Sequence, residues 1–171
     1  PKPSLEAFID PNHPSFLHPP KMTDAIRNFC NATGQHAPDT VADYVQVIFE
    51  SLALMYRSVV ESLEKLTGKK FEEVRVVGGG ARNRLLNQFT ADATGLRVVA
   101  GPVEATALGN IAMQMVATGA AASIADARGV IDASFPTEIF EPSGDQRWNA
   151  AYDRFRSLLP GTTRTAARRS D

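Results

Sequence analysis

Cysteine is nearly missing from this chain: Cys30 is the only one in 171 residues. A lone cysteine closes no internal disulfide, which points to a reducing cytoplasm. Cys30 falls on the apolar face of an expected helix, so it reads as a buried, inert thiol rather than a nucleophile. No apolar run approaches the roughly 18 residues of a membrane span, and no signal-peptide pattern is visible. Neither charge sign is in excess: 18 Lys and Arg against 19 Asp and Glu leave a net charge of -1. Composition therefore asks for neither nucleic acid nor an acidic membrane as partner. His13, His18 and His36 have no partnering cysteine or carboxylate cluster, which argues against a zinc site. What remains, 43% hydrophobic and 22% charged residues, is ordinary globular usage with enough length for one core.

Six of the eleven prolines crowd into residues 1–20, interspersed with Phe8, Ile9, Phe16 and Leu17. Proline fixes φ and removes a donor, so this is extended chain lying over a surface. Thr23 is expected to cap a short helix carrying Ile26, Phe29 and Cys30, stopped by Gly34. After Pro38, the apolar series Val41, Val45, Ile48, Leu52, Met55, Val59, Leu63 and Leu66 recurs every three or four residues. That is helical period, sustained up to Thr67-Gly68. Tyr44, Val47 and Leu54 widen the stripe, which implies burial on more than one side.

Two strands follow, Val74-Arg75-Val76-Val77 and Arg97-Val98-Val99-Ala100. Between them lies a helix bearing Leu85, Leu86, Phe89 and Ala93 and closed by Gly95. A further helix from about Glu104 to Thr118 turns Leu108, Ile111, Ala112 and Met115 inward. Residues 120–142 read as mostly irregular, with a single helical turn after Ser123. A last helix is expected to start at Ser143, with Gln146 completing a capping box and Trp148, Tyr152, Phe155 and Leu159 facing the core. Strand–helix–strand–helix is the grammar of a parallel α/β layer, but two parallel strands do not make a whole sheet. The expected division is a proline-rich covering segment at 1–38, a nucleotide-binding portion at 39–159 and a disordered tail at 160–171. That tail carries Arg164, Arg168 and Arg169. The first residue, Pro1, fits a chain that begins inside a longer gene product.

Gly78-Gly79-Gly80 joins the first strand to the following helix. Such a turn lets a ligand rest on bare main chain, and the helix behind it offers N–H groups and a positive dipole end at Arg82-Asn83. A tight turn for close packing explains the glycines equally well. The dinucleotide fingerprint is set aside because Asn83 stands where it needs its third glycine. The P-loop is set aside because Gly68-Lys69-Lys70 lacks the hydroxyl and the spacing.

The stretch VRVVGGGARNRLLNQFTADATGLRVVAGPVEATALGNIAM resembles the adenosine-binding segment of the FGGY carbohydrate kinases, within the actin, Hsp70 and hexokinase superfamily. The earlier stretch FIDPNHPSFLHPPKMTDAIRNFCNATGQ resembles the rhamnulokinase branch of that family. The resemblance implies a C-terminal, partial actin-like ATPase (ribonuclease H-like) fold, α/β and helix-rich. It also implies transfer of the γ-phosphoryl of ATP, with Mg²⁺, to the 1-hydroxyl of L-rhamnulose. Carried over by motif, Gly79, Gly80 and Ala81 line the adenine or ribose face. Asn83 either hydrogen-bonds the nucleotide or caps its helix. Glu104 precedes a helix that abuts the family's interdomain hinge, and a favourable charge in a first helical turn explains it more simply. Gly109 permits close helix packing.

The family's phosphate loops, its catalytic aspartate and most of its sugar site are expected outside these residues. The chain alone is therefore expected to be inactive, with no catalytic or metal-binding residue of its own. Its apolar surface, left uncovered, is expected to favour self-association. The alternative is a non-catalytic, truncated nucleotide-binding or interaction module. A methyl-donor or nicotinamide-binding domain is disfavoured by Asn83.

Overall fold

In the computed structural model, residues 2–160 are described. The tail expected from residue 160 onward thus lies outside the described residues, Pro160 apart. Helix α1 covers Met22–Ala32 and starts one residue ahead of the expected cap. Lys21 holds the N-cap position without a side-chain bond, and Thr23 sits inside the first turn. Helix α2, Val41–Thr67, opens on a closed capping box. The Asp43 N–H donates to Thr40 Oγ1 at 3.2 Å, and the Thr40 N–H donates to Asp43 Oδ2 at 2.8 Å. Gly68 ends α2 in the left-handed region at φ 67°, where a side chain would be strained.

The period of α2 was legible, and Tyr44, Val47 and Leu54, expected to widen the stripe, are buried; much of the main apolar series is not. Val41 and Leu66, at the two ends of the apolar series, are 82% and 83% exposed, and Val45, Val59 and Leu63 are also exposed. The buried face is the neighbouring one: Tyr44, Val47, Glu50, Ser51, Ala53 and Leu54. It packs under residues 5–9 of the N-terminal segment and against two later helices.

Strand β1, Glu73–Val76, pairs in parallel with β2, Arg97–Ala100, with Val74 opposite Val98. The crossover between them is helix α3, Arg84–Thr94, closed by Gly95 at φ 71°. Helix α4, Ala105–Ala117, follows; Leu108 and Ala112 are buried, whereas Ile111, expected inward, is exposed. Residues 120–142 are more ordered than expected. Helix α5 spans Ile124–Ser134, with the Asp126 N–H donating to Ser123 Oγ at 3.1 Å. Strand β3, Glu138–Phe140, then joins β2 in antiparallel fashion. Both expected parallel strands form, and β3 extends them to a three-stranded mixed sheet in the order β1-β2-β3. A three-residue strand is too short for alternation to show in a sequence.

The last helix, α6, runs Arg147–Leu158, four residues later than expected, and the capping box does not form. The Ser143 N–H donates instead to Asp92 Oδ1 at 2.7 Å, and Asp145 Oδ1 accepts from the Arg147 N–H at 3.0 Å. Once there, α6 does what its pattern implied. Trp148, Tyr152 and Phe155 join Leu5, Phe8, Leu54 and Phe89 in the largest core cluster. Each large apolar side chain buried in this way contributes roughly 1.5–3 kcal/mol. Cys30 is fully buried in a second cluster with Ile26, Phe29 and Tyr44, and burial pushes its thiol pKa up.

Candidate functional site

The parallel pair β1 and β2 both end at one edge of the sheet, the place where α/β layers present ligands. Two main-chain bonds tie the loops leaving these strands together. The Gly101 N–H donates to Val76 O at 2.8 Å, and the Gly78 N–H donates to Pro102 O at 3.1 Å. Gly78 needs its lack of a side chain, because its φ is 76°. Residues Gly78–Arg82 then wind into a short 3-10 turn.

Gly79 and Gly80 are exposed and keep ordinary φ values. A Cβ placed on Gly79 would meet nothing within 4 Å, and one on Gly80 would make an ordinary 3.6 Å contact with Val76. Neither backbone conformation nor packing in the described residues requires glycine at these two positions. Ala81 differs: it is buried with Ala91, Val98, Ala100 and Phe140, and only its outer side reaches the adjoining space.

Asn83 acts as a helix cap. Its Oδ1 accepts from the Leu86 N–H at 3.1 Å, while its own N–H donates to Gly80 O at 3.0 Å. The N–H groups expected to be free at the start of α3 are thus partly used within the chain. Behind the turn, Asn87 Nδ2 donates to Ala81 O at 3.0 Å. Asn87 was not among the candidates; its signal was a polar residue one turn before Thr90 and Ala91 on α3.

A cavity of about 350 Å³ opens beside the turn, bounded by Ala81, Arg82, residues 100–104, Phe135, Pro136 and Glu138. That volume is at the lower end for a small-molecule site. Phe135 and Glu138 reach it only because α5 and β3 fold where irregular chain was expected. Charged pairs stand at the rim: Arg82 Nη2 lies 4.0 Å from Glu104 Oε1, and Arg84 Nη2 lies 2.7 Å from Glu138 Oε1. The Arg82–Glu104 pair is long and solvated, so it adds little stability and leaves the guanidinium free to change partner. Glu104 stands at the N-cap of α4 without a side-chain capping bond. Gly109 is exposed with nothing near its Cβ direction, so the close packing expected there is not made within the described residues. Larger hollows, about 870 Å³ beside α1 and about 580 Å³ at the end of α2, lie away from the glycine turn.

Five aspartates among the described residues have local structural partners. Asp24 lies near Lys21 and Arg27, Asp43 and Asp126 serve caps, Asp92 binds Gln88 and the Ser143 N–H, and Asp145 pairs with Arg147.

The model of the FGGY family of carbohydrate kinases, C-terminal domain, matches residues 2–118. The rhamnulokinase of Bacteroides thetaiotaomicron is 45% identical over 155 residues, which is 91% of this chain and 32% of that protein. That of Enterococcus faecalis is 46% identical over 142 residues, covering 82% of this chain and 29% of its own length. That of Bacillus subtilis is 42% identical over 143 residues, covering 84% and 30%. The chain thus spans about a third of the length of these relatives. Among solved structures, the xylulose kinase from Rhodospirillum rubrum superposes with a TM-score of 0.55 at 20% identity, over 73% of this chain and 25% of that one. That likeness is one of fold.

Proposed function

Since the chain belongs to the FGGY family of carbohydrate kinases, we propose that it supplies the nucleotide-binding part of a kinase that phosphorylates the 1-hydroxyl of L-rhamnulose from ATP. The helix-rich layer with its small mixed sheet fits a portion of an actin-like ATPase fold. The names of the relatives in three organisms support the sugar. In this reading the nucleoside rests on Gly79 and Gly80, with Ala81 and Arg82 forming the near wall of the adjoining cavity. Asn83 contributes by capping α3 and keeping the turn closed. Mg²⁺ arrives with the phosphates, which hold it together with water. The chemistry asks for positioning and charge neutralisation more than for covalent help.

One observation carries the reading: two adjacent exposed glycines follow the end of β1, with no demand for glycine from the described residues. A ligand lying on the main chain supplies the missing reason. Calorimetric titration of the 171-residue chain with ATP, ADP and NAD tests it. Saturable binding of the adenine nucleotides, lost in Gly79→Val without a fall in melting temperature, is the expected result. No binding by the wild type, or unchanged binding by Gly79→Val, defeats the proposal.

Self-association belongs to the same reading. The exposed residues Val41, Val45, Val59, Leu63 and Leu66 of α2 form an uncovered ridge, and large uncovered ridges recruit partners. Sedimentation velocity that finds a compact monomer at all concentrations removes this part.

A further inference from the structure

Asn87 is 1% exposed, on the face of α3 that also carries Thr90 and Ala91. An amide in such a place costs free energy unless it is paired, and an apolar side chain would pack there without that cost. Its Nδ2 donates to the carbonyl of Ala81, six residues earlier in the chain. Ala81 is itself buried against Ala91, Val98, Ala100 and Phe140. Without the amide, its carbonyl would face apolar atoms, and the turn would rotate to find another donor. We infer that Asn87 is the positioning residue of the nucleoside bed. It holds the Ala81 carbonyl inward, so that the main chain of Gly79 and Gly80 faces outward to the ligand. This rests on the reading of the glycine turn as a nucleotide site.

The hydrogen bond has a direction that a substitution can reverse. In Asn87→Asp, a carboxylate of the same shape has no donor and opposes the Ala81 oxygen. Protonated, it donates again, and burial raises the pH at which it does so. Adenosine is the probe, because it carries no phosphate whose own titration would overlap that of the carboxyl group being read. At neutral pH, Asn87→Ala and Asn87→Asp are expected to bind adenosine about tenfold more weakly than the wild-type chain. As pH falls, Asn87→Asp should recover toward the wild type, while Asn87→Ala and the wild type stay level. A role in stability alone would not restore affinity in one variant only.

Wild-type affinity in both variants overturns the inference and leaves the nucleotide site intact. An Asn87→Asp profile that runs parallel to Asn87→Ala also overturns it. Should Asn87→Ala fail to fold, judged by the fluorescence of Trp148, the pH profile of Asn87→Asp decides by itself. A wild-type chain that binds neither adenosine nor ATP overturns the underlying reading, and the role of Asn87 falls with it.

Discussion

Leu5 and Glu50 lie 45 residues apart, and the Leu5 N–H donates to Glu50 Oε2 at 3.0 Å. The Ser4 N–H donates to the other carboxylate oxygen at 2.7 Å. Leu5 holds φ at 55°, a left-handed conformation that leucine seldom adopts, and its carbonyl accepts from Arg154 of α6. A fully buried carboxylate thus fastens the N-terminal segment onto α2, next to Phe8 in the main core.

That fastening has a pH signature. Burial raises the pKa of Glu50 above its ordinary value, opposed by the N–H groups of Ser4 and Leu5. A raised folded-state pKa gives stability that is present below the unfolded value and is lost as pH rises through the folded one. Asp43, Glu64, Glu73 and Asp145 are shifted the other way by their hydrogen bonds, and their contributions are lost as pH falls. Comparing the wild type with Glu50→Gln cancels these background groups. The difference in urea midpoint should move in favour of the wild type as pH is lowered from neutral through the carboxylate range. A difference that stays flat, or moves the other way, rejects the assignment.

Glycines of two kinds should separate in stability measurements. Gly95 closes α3 at φ 71°, with open space around its Cβ direction. Gly95→Ala should therefore cost about 1–2 kcal/mol through the backbone alone. Gly79 has no positive φ and equal space, so Gly79→Ala should change stability by no more than about 0.5 kcal/mol. Urea denaturation read by circular dichroism decides, and equal losses at both sites would contradict the geometry.

Phe155 is fully buried and meets Phe8 edge-on, with ring centroids 6.5 Å apart. Truncation to alanine leaves a void between α6 and the N-terminal segment. Phe155→Ala should lose roughly 3–5 kcal/mol and loosen residues 5–9 before the sheet, as read by hydrogen exchange. Uniform loss of protection would show that the segment and the sheet unfold as one unit.

The chain by itself should not turn over L-rhamnulose and ATP. The aspartates at Asp43, Asp92, Asp126 and Asp145 already serve caps and local bonds. A coupled assay for ADP release, run at high chain concentration, should show no sugar-dependent rate. Sugar-dependent turnover would place a catalytic base within these residues.

The glycine turn was legible because it is local. A β-branched run, three glycines and an amphipathic helix follow one another in the chain, and each has its own short-range reason. Even so, the sequence left open whether Asn83 caps α3, which the bond from the Leu86 N–H answers. Phe135 and Glu138 were missed as neighbours of the turn. Strand β3 exists only because the far edge of β2 is free to pair with it.

Local pattern alone determined where α2 starts and stops, which residues make α3 and β2, and that glycines stand between strand and helix. Short-range periodicity, caps and backbone freedom set those features, whatever lies nearby. How much of the α2 stripe is buried, where α6 begins and which residues border the cavity were decided only in three dimensions. Each depends on partners distant in the chain: Glu50 on Leu5, Asp92 on Ser143, and Arg84 on Glu138. A period of 3.6 residues marks an apolar face, but only the surface that packs against it decides whether that face is the one removed from water.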